Sequence, residues 1–320
     1  MSYNQNMAIG VDIGGTNIKI GLISEHGHIA EFQSVGLQKS NDNRADISFI
    51  SEAIQSFINK YKASHQLMGI GVASPGILDS KRGIVNYAMN LGWENLTLAS
   101  RLEDSLQLEV HLVSDSVAGA IGERYYAAAG LSDFLYICIG TGVGASLVTN
   151  HAFFRGTNGE AMDIGHTSII HDGPACKCGN RGCLENYISA AALTERIRTE
   201  IATTRSLLSS YASIHEIDTI DLYHAAQKGD DYALKLFQDA GRLLGIAIVN
   251  CVQLFGVPNI IVGGGVSQAG NYLLDPARSE VSMRLGQRAK GIQVIQAGMP
   301  TKSGVIGAAS CVYHSIRVSS

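Results

Sequence analysis

Residues 159–185 (GEAMDIGHTSIIHDGPACKCGNRGCLE) carry the densest set of side chains able to do chemistry. His166, Cys176, Cys178 and Cys183 follow the spacing H-x9-C-x-C-x4-C, and Gly179 and Gly182 permit the tight turns that would converge three thiolates on one ion. One imidazole and three thiolates complete a tetrahedral structural zinc site and leave no open position for Lewis-acid catalysis. Asp163 and Glu185 are interleaved with these ligands without being needed as ligands. The pattern reads as a metal holding two carboxylates in place for some other binding partner.

Further chemistry-bearing residues lie at the ends of expected strands. Residues 7–23 (MAIGVDIGGTNIKIGLI) read as an apolar strand, a Gly14–Gly15 turn and a second strand of period two, with Asp12 at the end of the first. Residues 134–148 (FLYICIGTGVGASLV) repeat the arrangement around Gly140, Thr141, Gly142 and Gly144. Free N–H groups of such turns can face phosphate, although a plain hairpin also uses glycines. As an internal repeat, the two turns would clamp one polyphosphate from both sides. Neither is a G-x-x-x-x-G-K-[ST] loop and neither leads directly into a helix, which excludes P-loop and dinucleotide-binding readings.

Residues 108–113 (LEVHLV) form another expected strand, ending in Ser114-Asp115-Ser116 where a helix begins. Open α/β sheets put functional groups at such junctions; a plain helix N-cap is the competing role for Asp115. Residues 259–265 (NIIVGGG) read as a buried strand opening onto bare backbone at Gly263, Gly264 and Gly265, suited to an adenine or ribose. Asn90 precedes the single tryptophan, Trp93, whose ring suits either the core or a stack near a sugar.

The elements that must position these groups follow the same patterns. Residues 47–61 read as a helix, and 68–73 as a short strand closed by Ser74-Pro75-Gly76. Residues 188–213 and 221–255 are helical, with Gly241 and Gly245 spaced to admit a close neighbour, and 302–317 form a last helix. At 320 residues the chain exceeds what one core supports, so two domains are expected. A hydrophobic share of 46 % against 16 % charged residues is that of a packed globular protein. A net charge of −4 gives no general attraction for nucleic acid or an anionic membrane. No apolar run reaches the ~18 residues of a membrane span, and the first residues lack the pattern of a secretion signal. Six cysteines, three of them packed into the metal stretch, favour metal binding in a reducing compartment, so a cytoplasmic protein is expected. Cys138, Cys251 and Cys311 sit in apolar runs as core residues.

Together these motifs resemble the ROK family of sugar kinases and sugar-responsive repressors. Asp12-Ile-Gly-Gly-Thr16 with Asn17 is similar to the family's first phosphate loop, and residues 139–144 (IGTGVG) to its second. Residues 165–185 match its G-H-x9-C-x-C-G-x2-G-C-x-E pattern position by position. The resemblance implies a two-domain α/β actin-like ATPase (ribonuclease H-like) fold with an interdomain cleft. Residues 1–117 with 304–320 would form a small domain, and 118–303 a large one holding structural Zn²⁺ on His166, Cys176, Cys178 and Cys183. ATP, as its Mg²⁺ complex, would lie along Asp12, Gly14, Gly15, Thr16, Asn17, Gly140, Thr141, Gly142 and Gly144, with Gly264 and Gly265 near the nucleoside. Asp115 would be the catalytic base. Pro75, Gly76, Asn90, Ser114, Asp163, His166 and Glu185 would join it around the sugar. A homodimer or homotetramer is the family expectation, with phosphorylation at the C6 hydroxyl.

Two positions depart from the resemblance. Active family kinases usually carry Asn before the base, where this chain has Ser114, and Glu where it has Asp163. The shorter carboxylate retreats by about 1.5 Å from a fixed partner, which is enough to lose a hydrogen bond or admit a bulkier sugar. The expectation is a glucokinase-like enzyme with an altered sugar shell. The alternative is a non-catalytic sugar sensor acting through a protein partner; the few residues before the first strand would not make the DNA-binding module of the family's repressors. The zinc would contribute order, and Cys178→Ser is expected to lose metal and sugar binding while leaving nucleotide contacts largely alone.

Overall fold

Ile9, Val11 and Ile13 face Leu22, Ile20 and Ile18 across a fully buried ladder, and this pairs Asn6–Ile13 (β1) with Asn17–Ser24 (β2) as an antiparallel hairpin. Ile29–Gly36 (β3), half-exposed and rich in polar residues, adds an edge strand that the sequence pattern did not reveal. Gln66–Ser74 (β4) runs parallel to β1. The chain then forms a small separate sheet from Ile77–Asp79 (β5), Ile84–Ala88 (β6) and Trp93–Leu96 (β7) before Val110–Ser114 (β8) joins β4 in parallel. The sheet order is β3-β2-β1-β4-β8. The computed structural model describes residues 6–40, 42, 44–154, 162–211 and 216–314. The start of the metal stretch at 159–161 and the expected helix ends at 212–213 and 315–317 lie outside the described residues.

Helix Ile47–Tyr61 (α1) starts where Asp46 accepts the N–H groups of Ser48 and Phe49, and it buries Ile50, Ile54, Phe57 and Ile58 against this sheet's core. Leu98–Leu106 (α2) buries Leu98 and Leu102 in the same core. Asp115–Glu123 (α3) follows β8 directly. The last helix, Ser303–Tyr313, returns to cross α3 with the two backbones in contact. A Cβ at Gly307 would fall 1.7 Å from the Ala118 carbonyl oxygen, and one at Gly122 would fall 2.1 Å from that of Ser303, so only glycine fits either position.

The chain divides into two compact units of similar size: residues 1–131, 151–160 (with the two-residue strand Ala152–Phe153, β11) and 301–320 in the first, and 132–150 with 161–300 in the second. A boundary at 117, as expected from the sequence, would cut α3; the helix stays whole in the first unit because its small residues lie on the last helix.

The second unit repeats the topology of the first. Phe134–Ile139 (β9) and Val143–Thr149 (β10) form an antiparallel hairpin, and Asn259–Gly263 (β12) and Gln293–Gln296 (β13) extend it in parallel beyond β9. Around this sheet lie Glu185–Ile188 (α4), Ala190–Glu200 (α5), Leu208–Tyr211 (α6), Thr219–Gln227 (α7), Asp231–Phe255 (α8) and Asn271–Leu285 (α9). The stripe Leu236, Phe237, Ala240, Leu244 and Ile248 of α8 sits in one core with Leu135, Ile137 and Ile139 of β9. Among the described residues no helix is long and apolar enough to cross a membrane.

Candidate active site

In the first unit, Asp12 stands at the end of β1, directly opposite Lys19 in the ladder, with Lys19 Nζ 3.1 Å from its Oδ2. The turn between them closes by a hydrogen bond from Gly14 N–H to the Asn17 carbonyl at 2.8 Å, and Thr16 and Asn17 are exposed at its tip. Ser114 ends β8 with extended backbone, and Asp115 is the first helical residue of α3. The Asp115 carboxylate accepts the N–H of Ser116 at 2.7 Å, while Ser114 and Ser116 hydroxyls lie 3.0 Å apart. The N-cap position is therefore held by Ser114, and Asp115 caps nothing beyond its own neighbour.

Burial pushes the Asp115 carboxyl up to about 7, and repulsion from the Asp12 carboxylate acts in the same direction; the Ser116 N–H, the Lys19 ammonium and the Ser114 hydroxyl pull against both. A carboxyl near neutrality, at the mouth of a helix and beside a second acid, is suited to general-base work at physiological pH. Lys19 was not singled out in the sequence, although a charged residue between Ile18 and Ile20 in a buried hairpin was the signal.

Pro75 and Gly76 follow β4. Gly76 has φ +102°, and a side chain there would strike the Tyr87 carbonyl oxygen. Asn90 is exposed in a single 3₁₀ turn (Met89–Leu91), its carbonyl accepting from Lys39 Nζ at 3.4 Å. Trp93 is a core residue: it is 4 % exposed and its indole N–H donates to the Ala45 carbonyl at 2.9 Å. The ring is packed in the core and offers no platform on which a sugar could stack.

In the second unit the four expected metal ligands converge. The donor atoms of His166, Cys176, Cys178 and Cys183 all lie within 4.8 Å of one another. Cys178 and Cys183 sulfurs are 3.7 Å apart, and His166 Nδ1 is 3.5 Å from the Cys176 sulfur. Zn–S bonds of about 2.3 Å at tetrahedral angles place sulfurs about 3.8 Å apart, so the donor set fits that ion. The three cysteines form no disulfide. Burial, then the crowding of Cys176 and Cys178, pushes the Cys183 thiol up to about 12; thiols this close need a cation among them to ionise together. Gly179 and Gly182 adopt φ of +93° and +62°, the tight turns the spacing required.

Asp163 is exposed and sits at the centre of an inverse γ-turn (φ −78°, ψ 60°), closed by Ile164 N–H on the Met162 carbonyl at 2.9 Å. Met162 takes φ +74°, a left-handed conformation costly for a side-chain-bearing residue and common at functional positions. Nothing in the sequence announced it. Glu185 opens α4, and its Oε2 accepts the Val143 N–H at 2.8 Å. Gly140 N–H donates to the Gly142 carbonyl at 2.9 Å, with Thr141 exposed at the tip and Gly144 already in β10. Of the glycines after β12, Gly264 is buried with φ +85°, where a Cβ would lie 2.4 Å from the Ile139 carbonyl oxygen. It serves strand packing behind the second turn, and Gly265 is the exposed one.

A model of the ROK family matches residues 8–315. The chain is 33 % identical over 306 residues to a glucokinase of Halalkalibacterium halodurans, covering 93 % of this chain and 92 % of that protein. It is 29 % identical over 279 residues to a xylose repressor of Caldicellulosiruptor bescii, covering 86 % of this chain and 70 % of the repressor. The structure of a ROK family glucokinase from Streptomyces griseus, in complex with glucose and AMPPNP, superposes with a TM-score of 0.85 at 32 % identity, covering 95 % of this chain and 98 % of that one.

Proposed function

The chain belongs to the ROK family and has its actin-like ATPase fold, and on that premise we propose that it is an ATP-dependent hexose kinase acting at the C6 hydroxyl. The observation that carries the reading is Asp115, a carboxyl held near 7 where a strand meets a helix. Asp115 accepts the proton of the sugar hydroxyl as that oxygen bonds to the γ-phosphorus, while the bond from the γ-phosphorus to the oxygen bridging it to the β-phosphate breaks to release ADP. Phosphoryl transfer asks the protein for positioning and charge neutralisation more than for covalent work.

In this reading Pro75, Gly76, Asn90 and Ser114 serve the sugar, and the turn with Asp12, Gly14, Gly15, Thr16 and Asn17 serves the polyphosphate. Asp163, His166 and Glu185 would likewise serve the sugar, and Gly140, Thr141, Gly142 and Gly144 the phosphates, with Gly265 for the nucleoside. Carboxylates, amides and imidazole suit a polyol because each hydroxyl both donates and accepts. His166 Nδ1 lies 3.5 Å from the Cys176 sulfur, which leaves Nε2 as the ring nitrogen that would donate to a sugar hydroxyl. His166, Cys176, Cys178 and Cys183 would hold Zn²⁺, whose contribution is order rather than catalysis. Mg²⁺ accompanies the ATP. A cytoplasmic homodimer or homotetramer completes the reading, and light scattering of the purified protein tests the assembly.

Ser114 and Asp163 favour a preferred sugar other than glucose, and they also carry the second reading, a sugar sensor without turnover. A coupled ADP-release assay with Mg²⁺–ATP separates the two. The panel is glucose, mannose, fructose, allose, glucosamine, the N-acetylhexosamines and a β-glucoside disaccharide, with Asp115→Asn as control. Turnover on one sugar, abolished in the control, is the expected result. Silence on every sugar, with one of them still raising thermal stability, would replace the kinase by the sensor.

A further inference from the structure

The metal loop and the second glycine turn are tied together at three points. Glu185 Oε2 accepts the Val143 N–H at 2.8 Å, and Val143 directly follows Gly142, so that N–H belongs to the end of the turn. Gly165, beside the ligand His166, lies so close to the turn that a Cβ would sit 2.1 Å from the Val143 carbonyl oxygen. Ala190, at the start of α5, donates its N–H to the Gly140 carbonyl at 2.8 Å. The turn is thus held at its entry by α5 and at its exit by Glu185 and Gly165, all in the segment that follows or contains the metal ligands.

We propose that Glu185 is a positioning residue for the nucleotide turn: its carboxylate fixes the Val143 N–H, and through it the shape of residues 140–144, in addition to any contact with sugar. The identity of the ligand at that turn rests on the kinase reading; the brace itself does not. A neutral hairpin turn rich in glycine has many conformations to lose on binding, and a charged acceptor placed at its end selects one of them before the ligand arrives. A sugar that engages the same carboxylate is then coupled to the nucleotide through one side chain, and the coupling is reciprocal. Removal of zinc should reach the nucleotide as well, against the expectation that Cys178→Ser would spare it.

The test uses ADP alone, without sugar, titrated calorimetrically into the zinc-loaded wild type, Glu185→Ala and Glu185→Gln. Amide hydrogen exchange over residues 139–145 is measured on the same samples. Glu185→Ala should bind ADP about tenfold more weakly, the loss expected for one hydrogen bond to a charged acceptor, with zinc content unchanged and faster exchange at 140–144. Glu185→Gln keeps an acceptor oxygen without the charge and should fall between. Unchanged ADP affinity and unchanged exchange in Glu185→Ala, with losses confined to sugar binding, would overturn the proposal. Should the wild type bind no ADP, the kinase reading fails, and the exchange measurement still decides whether Glu185 braces the turn. Should Glu185→Ala not fold, Glu185→Gln and the comparison of zinc-stripped with zinc-loaded wild type decide it; turn protection indifferent to both would refute the brace.

Discussion

Lys19 sits directly across the first hairpin from Asp12, with its ammonium 3.1 Å from the Asp12 carboxylate, and both charges act on Asp115 in opposite directions. Because Asp115 must be ionised to take a proton, kcat/KM for sugar should fall as pH drops through about 7. Asp12→Asn removes the repulsion and should move this acidic limb to lower pH; Lys19→Met removes the attraction and should move it higher. These shifts are separate from any loss of maximal rate. A limb that stays in place in both variants would take Asp115 out of the base role.

The same shift has a stability consequence. The folded-state value of Asp115 lies above its ordinary 3.8, so the unfolded chain gives up this proton first. Stability then falls as pH rises from the ordinary value through about 7, and the loss is complete above that. Asp115→Asn should melt a few degrees above the wild type at about pH 8, with the gap narrowing toward the ordinary value of 3.8 and closing below it, where the unfolded carboxyl is protonated as well. A thermal-melt series across this range checks it, and an Asn variant less stable at every pH would count against a buried, neutral-favouring site.

The sugar shell should be adjustable at its two unusual positions. Ser114→Asn combined with Asp163→Glu restores an amide and one methylene, and the ratio of kcat/KM for glucose to that for the best natural sugar should rise. Each regained hydrogen bond to a hydroxyl is worth about 1 kcal/mol, or several-fold in the ratio. An unchanged ratio would place the specificity elsewhere.

Metal content offers an independent check. Elemental analysis should give one zinc per chain, lost in Cys178→Ser and retained in Cys251→Ser, because Cys251 is buried in the second unit's apolar core. Retention of stoichiometric zinc by Cys178→Ser would remove that thiol from the ligand set.

Trp93→Phe should lower stability by about 1–3 kcal/mol through a lost buried hydrogen bond and reduced packing, while leaving sugar affinity within experimental error. Chemical denaturation and sugar titration of the same variant measure both. A selective loss of sugar affinity would return the ring to the site.

How much of this could be seen in the sequence depended on whether the cause was local. The glycine turns, the helix over 47–61 and the cysteine spacing each encode their structure within a few residues, and they formed as expected. Gly241 and Gly245 announced a close neighbour but not its identity: the partner is α9, with the Leu273 and Ala277 carbonyl oxygens 2.3 and 2.7 Å from where the Cβ atoms would be. Pro276 lies inside α9, and because proline removes an interior donor no local pattern marks that segment as a helix. The partners of Trp93 and Glu185 lie 48 and 42 residues away in the chain, and no local pattern points to them. Charge was legible at Asp115; its displacement to about 7 needed Asp12 and the surrounding burial to be placed.

The crossing of α3 with the last helix also orders the protein's birth. Residues 303–313 leave the ribosome after every residue of the second unit, yet they supply the surface on which the helix carrying Asp115 rests. A nascent chain can complete the second unit's sheet and metal loop while the helix behind Asp115 still lacks its seat. On this packing, protection of the α3 amides in refolding experiments should appear together with that of residues 303–313 rather than with the first hairpin.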